Sequence, residues 1–398
     1  MLGDSHNFGR RVAVHGERVH KPRTLFWEWL VLGADSPLRR RLDEIAAADG
    51  PDPDAFGFLP RLGFRSPKAE RGGDVERIEL EPLRVRSPAR RRELAQAVGR
   101  SLAFFGWFGV SDLHWENMVI GAGPDGRAVF APLDIELVLA DYSSPVETRL
   151  LPAADPDYAA VYRHSAGVRR ALPYLGKPVA ATELVALVAA YHELLACLER
   201  HSRTIAEVLA GERATGSAPI RVCLRGTADY VLGKPEALWP PLLDAELEQL
   251  ARGDIPYFFR LFGRPGIHYY RNRSLGAWNS LPRTGDVPKL EPLLSLARGL
   301  RSPSRDRLRE QGLFVLLSAF DHPGLSGTHA AGELEVRFGL RTLSVRRAGG
   351  ELLSCPRNLR KIVGSVYLPC RCGEVRGVFV PPTTRCSGAR RARARSRL

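Results

Sequence analysis

Long uncharged stretches are missing from this 398-residue chain, and that sets the first bound on what it is. No apolar run reaches the roughly 18 residues that a membrane-crossing helix needs, so no transmembrane span is expected. The opening MLGDSHNFGRR has no apolar core of the kind that marks a signal peptide. Cysteine is scarce too. The six present, Cys197, Cys223, Cys355, Cys370, Cys372 and Cys386, are too few and too unevenly spaced for a disulfide framework. These absences together point to a reduced, cytoplasmic protein. No internal repeat divides the chain.

Acidic residues are outnumbered, 44 against 58 lysines and arginines, for a net charge of +14. Such an excess attracts anionic partners: nucleotide, acidic peptide or nucleic acid. The plainer account is an arginine-rich composition with a basic end, since Arg390, Arg391, Arg393, Arg395 and Arg397 all lie in the last nine residues. Charge bears on partners and not on fold, and the plainer account is the default. With 44% hydrophobic residues, the chain can bury the core of one large domain or two lobes.

Residues 3–20 read as a tight loop and short strands, with a hairpin turn at His15-Gly16 and Lys21-Pro22-Arg23 at the second strand's end. An aromatic-rich helical stretch follows over Leu25–Leu30, then a Pro/Gly/Asp-rich loop from Gly50 to Pro60 and a charged, irregular segment over 66–88. Leu94, Val98, Leu102 and Phe105 recur at helical spacing and predict a helix over Ala89–Phe105 with one buried face. The run Ala128–Leu139 is apolar and strand-like, interrupted by Asp134 and Glu136; two acids in such a run require a reason. A long helix is predicted over Thr182–Ala210 with Thr182 as its N-cap, and further helices over 239–252 and 303–320. From about 331, strand-like pieces alternate with Gly and Arg, and the last dozen residues have the low complexity of a disordered tail. The Cys370-Arg371-Cys372 spacing there is not that of a zinc knuckle.

The densest chemistry is Asp112-Leu113-His114-Trp115-Glu116-Asn117, a D-x-H-x-x-N pattern, with Asp134 following 17 residues after Asn117. Phosphoryl transfer from ATP uses this set: one carboxylate orients or deprotonates the attacking hydroxyl, while an amide and a second carboxylate hold Mg²⁺ against the phosphates. Protein kinases carry a longer Asp-to-Asn gap, and the short form belongs to lipid-kinase-like sites. Asp112 is therefore read as base or orienter, His114 as a stabiliser of transferring charge, Asn117 and Asp134 as metal ligands, and Glu136 as support for the metal or its loop. Taken singly, each has an ordinary structural use: an Asp-x-His turn, an Asn cap, a satisfied core histidine. The combination, set between a helix and a strand, is what carries the catalytic reading. Lys21 supplies a cation for phosphate, and the loop with Gly3, Asp4, His6 and Gly9 offers backbone N–H groups to cradle phosphate oxygens. Alone these would be a surface lysine and turn glycines; their order along the chain raises them.

These residues resemble the dehydratase domain of class II (LanM-type) lanthipeptide synthetases. The family's Gly-Asp-x-His-x-x-Gly-Arg loop is matched by Gly3–Arg10, its Lys-Pro-Arg by Lys21–Arg23, its Asp-Leu-His-x-Glu-Asn by Asp112–Asn117 and its Asp-x-Glu by Asp134–Glu136. An Arg-x-x-x-Arg-x-Thr-x-x-Tyr segment is matched by Arg221–Tyr230, and a Gly-Asp-Ile-Pro-Tyr-Phe stretch by Gly253–Phe258. The resemblance runs in one order from residue 3 to about 320. It implies an α+β, lipid-kinase-like fold of two lobes with a largely helical C-lobe: an N-lobe over 1–105, a C-lobe over 106–330, and an irregular, basic tail over 331–398. It further implies two reactions on a leader-bearing precursor peptide, ATP- and Mg²⁺-dependent phosphorylation of Ser or Thr and then elimination of phosphate to dehydroalanine or dehydrobutyrine. Asp4, His6 and Lys21 would bind the nucleotide; Asp112 and His114 would act in phosphorylation; Asn117, Asp134 and Glu136 would hold metal; Arg221 and Thr227 would act in elimination. Arg221 suits that task, because a guanidinium neutralises the charge growing on a departing phosphate; pairing with nearby acids is its structural alternative, as a helix cap is for Thr227. Asp254 and Pro256 read as turn residues without chemistry.

The chain starts two residues before Gly3, without the large region that precedes this loop in the family. It holds no Cys-His dipeptide of the kind the family's cyclase half uses, and Gly226 stands where a proline is usual. Cyclisation is not expected, and a separate cyclase or a partner supplying the N-terminal region is implied. A non-catalytic relative that binds nucleotide or leader peptide is the competing reading. A nucleic-acid binder ranks last, because no aromatic-plus-basic module appears.

Overall fold

The computed structural model describes residues 2–49, 52–140, 142, 144–152, 166–225, 230, 242–262, 264, 266–281, 303–357, 367–369 and 375–378. It is a mixed α+β structure in which the sheets are antiparallel. The first sheet has the order β1-β2-β3-β5-β4, from β1 (Leu2–His6), β2 (Arg10–His15), β3 (Arg18–Lys21), β4 (Phe64–Arg65) and β5 (Gly73–Glu76). The hairpin expected at His15-Gly16 forms, with His15 paired to Arg18 and Gly16 in the left-handed region at φ 60°, as a two-residue turn opening on glycine requires. Within 66–88, expected to be irregular, β5 is an ordered strand that pairs with β3 through Lys21↔Gly73. Two further helices follow β3 directly: α1 (Phe26–Leu32), buried at every residue, and α2 (Pro37–Asp49), which turns Leu38, Leu42, Ile45 and Ala46 inward.

Helix α3 (Pro88–Trp107) starts on Ser87, whose Oγ accepts from the Arg90 N–H, with Pro88 in the first turn. The predicted face Leu94, Val98, Leu102 and Phe105 is fully buried. Then come the hairpin β6 (Met118–Ala122) and β7 (Ala128–Pro132), and the one-turn α4 (Leu172–Leu175). Strand β7 stops at Pro132, so Asp134 and Glu136 lie beyond the ladder in irregular backbone and interrupt no strand. The helix predicted over Thr182–Ala210 is two helices, α5 (Ala181–Arg200) and α6 (Ser202–Gly211), broken at His201, whose ψ of 10° leaves the helical range. Its N-cap is Ala180, and Thr182 sits inside the first turn with its hydroxyl donating to Glu183. Among the described residues α5 alone is long and apolar enough to cross a membrane, and it is buried in the core, packed on α3.

A second sheet, β11-β10-β9-β8, is built from β8 (Pro219–Val222), β9 (Phe258–Leu261), β10 (His268–Tyr270) and β11 (Trp278–Ser280), with α7 (Asp244–Ala251) between its first two strands. Residues 239–241 of the predicted helix lie outside the described residues. Helix α8 (Pro303–Phe320) packs on α5, where the Tyr191 hydroxyl donates to the Leu308 carbonyl at 2.9 Å. Beyond it, the strand-like pieces read from about 331 do not form an irregular tail but pair, from 327 on, into a meander, β12 (Gly327–Ala331), β13 (Leu334–Phe338), β14 (Thr342–Arg347) and β15 (Gly350–Pro356). Alternation explains it: Leu334, Val336 and Phe338 point inward while Glu335 and Arg337 face solvent. Cys370, Cys372, Cys386 and the arginine-rich end lie outside the described residues.

The α3–α5 crossing is close enough to need glycine. A Cβ on Gly99 would stand 2.1 Å from the Leu187 carbonyl oxygen, which is backbone and cannot swing aside. Gly99→Ala is expected to destabilise the protein by about 1–3 kcal/mol, the usual cost of overpacking a core, read from chemical denaturation.

Candidate active site

A cleft of about 560 Å³ opens between the β1–β2 loop, the segments after α3 and β7, and the strand β8. Asp112, His114, Asn117, Asp134, Glu136, Arg221 and His6 all line it, so residues spread over more than two hundred positions meet in one place. Lys21 stands just behind the wall, its Nζ 3.9 Å from Asp134. Thr227 lies outside the described residues, as does the side chain of Asp4.

Lys21 owes its placement to a residue that the sequence reading passed over. Its Nζ donates to both carboxylate oxygens of Glu28 at 2.8 Å and to the Leu133 carbonyl at 2.7 Å. Glu28 sits in α1 with its side chain 2% exposed, and burial raises its carboxyl against the opposing pull of Lys21 and Arg23. A buried acid must be paired to be tolerated, and this one is paired twice. The signal was present: Glu28 is the one acid in Phe-Trp-Glu-Trp-Leu-Val-Leu. Arg23, also without an assigned role, contacts three acids at once. Its Nη2 reaches Asp134 and, at 3.3 Å, Glu28, while its Nε lies 3.0 Å from Glu136.

Asp112 takes a left-handed backbone, φ 65°, a conformation that costs an aspartate energy and places its carboxylate in the cleft. Three contacts hold it there: Asn117 Nδ2 donates to its carbonyl at 2.9 Å and to its Oδ2 at 3.4 Å, and Arg149 Nη1 pairs with its Oδ1 at 2.8 Å. Burial raises the Asp112 carboxyl, against the pull of Arg149, His114 and Arg221. The imidazole of His114 stands 4.0 Å away. Arg149 is a further residue missed at the sequence level, and it carries no local motif that could have announced it. The Leu133 N–H donates to the Asn117 carbonyl at 2.8 Å and so locks the Asp112 loop to the segment that presents Asp134.

Arg221 is tied twice to Glu136. Its N–H donates to the Glu136 carbonyl at 2.9 Å, and its Nη1 pairs with Oε1. Burial works to raise the Glu136 carboxyl, but Arg221 and Arg23 outweigh it and bring it down to about 2. The structural alternative for Arg221, pairing with an acid, is thus what the geometry shows, and the acid is itself part of the candidate site. Arg225 pairs at 2.9 Å with the fully buried Glu246, which also accepts from the Tyr230 hydroxyl at 2.6 Å.

The loop before β2 corrects an expectation. Its N–H groups at Phe8 and Gly9 do not stand ready for phosphate; they donate to the Asp254 carboxylate at 2.7 and 2.9 Å, and the Ser5 hydroxyl donates to the same group at 2.8 Å. Three successive left-handed residues, Asn7, Phe8 and Gly9, curl the amides around that carboxylate. Ile255 adds a bond from its N–H to the Ser5 carbonyl, and its own carbonyl accepts from His6 Nδ1 at 2.9 Å. A carbonyl can only accept, so Nδ1 carries the proton. Asp254, read as a turn residue, is the anchor of the loop. His6 and Asn7, with Arg10 and Arg11 at the start of β2, line the cleft.

Chemically, the cleft joins one carboxylate placed to take a proton with oxygen donors suited to a hard cation. Among the described residues no three His, Cys, Asp or Glu side chains gather into a cation site. Asp134, Glu136 and the Asn117 amide line the cleft as oxygen donors of the type that could hold Mg²⁺, which takes one or two carboxylates and completes its shell with phosphate oxygens and water. Asp134 and Asp112, 36% and 35% exposed where Glu28 is 2% exposed, are the acids of the cleft open to solvent.

Asp254→Ala removes charged hydrogen bonds worth about 1.5–3 kcal/mol each. The amides of Phe8 and Gly9 should then exchange with solvent at least about tenfold faster while those of α5 are unchanged, as hydrogen-exchange mass spectrometry would show.

Comparison with known proteins places the chain in no family: no protein-family model matches it, and no curated protein is found to be similar.

Proposed function

We propose that this protein is a dehydratase of the class II lanthipeptide type. It would phosphorylate Ser and Thr of a leader-bearing precursor peptide with ATP and Mg²⁺, then eliminate the phosphate, in the cytoplasm. The observation that carries this reading is the single cleft in which Asp112, Asn117, Asp134, Glu136 and Arg221 meet beside the Lys21–Glu28 pair. A lysine at a strand end, paired to a helical glutamate and next to a cation-binding aspartate, is the arrangement of kinase-like phosphotransfer sites. In that reading the β1–β5 sheet with α1 is the N-lobe and the helices around α3 and α5 belong to the C-lobe. Ring closure would fall to a separate cyclase.

In the first reaction Asp112 accepts the proton of the substrate hydroxyl. The hydroxyl oxygen bonds to the γ-phosphorus as the bridging P–O bond breaks, and ADP leaves with that electron pair. The upward push of burial on Asp112 suits a proton acceptor. Asn117, Asp134 and Glu136 would hold Mg²⁺, which when bound neutralises phosphate charge. Lys21 keeps Asp134 in place, and His114 steadies the charge passing near Asp112. In the second reaction a base removes the proton on Cα. The electron pair forms the Cα=Cβ bond, the Cβ–O bond breaks, and phosphate departs with its electrons toward Arg221, whose guanidinium offsets the growing charge. The family resemblance gives Thr227 a part in this step.

With a Ser/Thr-rich precursor peptide, ATP and Mg²⁺, mass spectrometry should show phosphopeptide and loss of water. Asp112→Asn should lower both by about 10²–10⁴-fold, the usual worth of a general base. Arg221→Ala should leave phosphopeptide to accumulate; fully dehydrated product from that variant would end the elimination assignment.

A further inference from the structure

Arg23 makes a contact pattern that neither phosphorylation nor elimination explains. All three of its nitrogens are engaged: Nη1 donates to the Thr24 carbonyl at 3.0 Å, Nη2 meets Asp134 and Glu28, and Nε meets Glu136. Two of these acids are the candidate cation ligands. Counting formal charge in the contact network, Glu28, Asp134 and Glu136 contribute three negative charges and Lys21, Arg23 and Arg221 three positive ones, so the cluster is neutral. Most of it is shielded, with side-chain exposures of 2–14% for every member except Asp134.

We propose that Arg23 is a built-in counter-cation that makes the site accept a divalent metal only together with a nucleotide. This rests on the phosphotransfer reading above and specifies its order of assembly. A lone dication would bring two positive charges into a neutral, largely shielded cluster and would have to push a guanidinium off Asp134 and Glu136 without giving it a new anionic partner. A nucleotide supplies the missing partner, because a guanidinium released from carboxylates can pair in the same forked manner with phosphate oxygens. Arg23 is the cation placed to move. It lines the cleft, whereas Lys21 stands behind the wall with both Glu28 oxygens on its ammonium. Arg221 is held to the Glu136 strand connection by its own backbone N–H as well. Arg23 is thus a positioning residue for the metal, exchanged from acids to phosphate as the complex forms.

The test is Mn²⁺ binding followed by electron paramagnetic resonance, with and without a non-hydrolysable ATP analogue and with no peptide present. The wild type should bind Mn²⁺ weakly alone and tightly with the analogue. Arg23→Met should tighten binding of Mn²⁺ alone by about 5–150-fold, the range of a typical coupling energy. Arg221→Met, which strips only Glu136, should do so less. Arg23→Lys keeps the charge and should stay dependent on the nucleotide. The inference falls if the wild type binds Mn²⁺ equally well without the analogue. It also falls if Arg23→Met leaves lone Mn²⁺ binding unchanged while still forming the ternary complex, or if Arg23→Lys gains as much as Arg23→Met. Those results leave the phosphotransfer reading standing. Failure of the wild type to bind Mn²⁺ even with the analogue ends that reading and this inference with it.

Discussion

The pairing of Lys21 with Glu28 is the contact on which the cleft's geometry rests. An ammonium and a carboxylate removed from water are costly apart and tolerable together, so each fixes the other. Because Lys21 ends β3 and Glu28 lies in the first turn of α1, the pair ties the first sheet to its helix. Because Lys21 also donates to the Leu133 carbonyl, it sets where the segment after β7 passes. Arg23 and Arg221 then extend the same logic outward, and the Asp112 loop is joined to it by the bond between Leu133 and Asn117. The site is one electrostatic object whose members lie on β3, α1, β8 and three irregular segments.

A second organising element is the stretch from α7 to β9. Glu246, buried completely, steadies Arg225 and Tyr230 on one side of the cleft. Eight residues on, Asp254 anchors the β1–β2 loop on the other, with Arg252 stacked 4.1 Å over the Phe8 ring. Gln249 ties the two together by accepting from the Tyr257 N–H at 2.9 Å. Both rims of the cleft therefore hang from one short helix and the turn that follows it.

Much of this was legible in the sequence, and the reason is local. Helical spacing disclosed α3 and α8, and the hairpin at Gly16 announced itself by turn chemistry, because these signals sit within a few residues of each other. Asp112 and Asn117 could be singled out by the D-x-H-x-x-N pattern, Asp134 as an acid in an apolar run, and Arg221 by the family resemblance, and the structure does bring them to one cleft. The misreadings were long-range. Whether the amides of Phe8 and Gly9 are free depends on a carboxylate 245 residues away or more, which no window of sequence reveals. Arg149 meets Asp112 only because the loops on either side of β6 and β7 fold back. The break at His201 and the end of β7 at Pro132 are boundary effects, where packing overrides periodicity. The meander over 327–356 was visible as strand-like pieces, but its order comes from ladder pairing and from packing on α5.

The bond from Asp254 to the β1–β2 loop also has a bearing on how the chain is made. Synthesis delivers the loop first and its anchor some 245 residues later, roughly 12–50 s at common elongation rates. Until then three consecutive residues of left-handed backbone have nothing to curl around, and Lys21 waits equally for the Leu133 carbonyl. Strand β1 thus leaves the ribosome well before the carboxylate that secures its loop. The nascent chain spends that interval with its first sheet unfinished, a period in which a chaperone or a partner subunit could act on it.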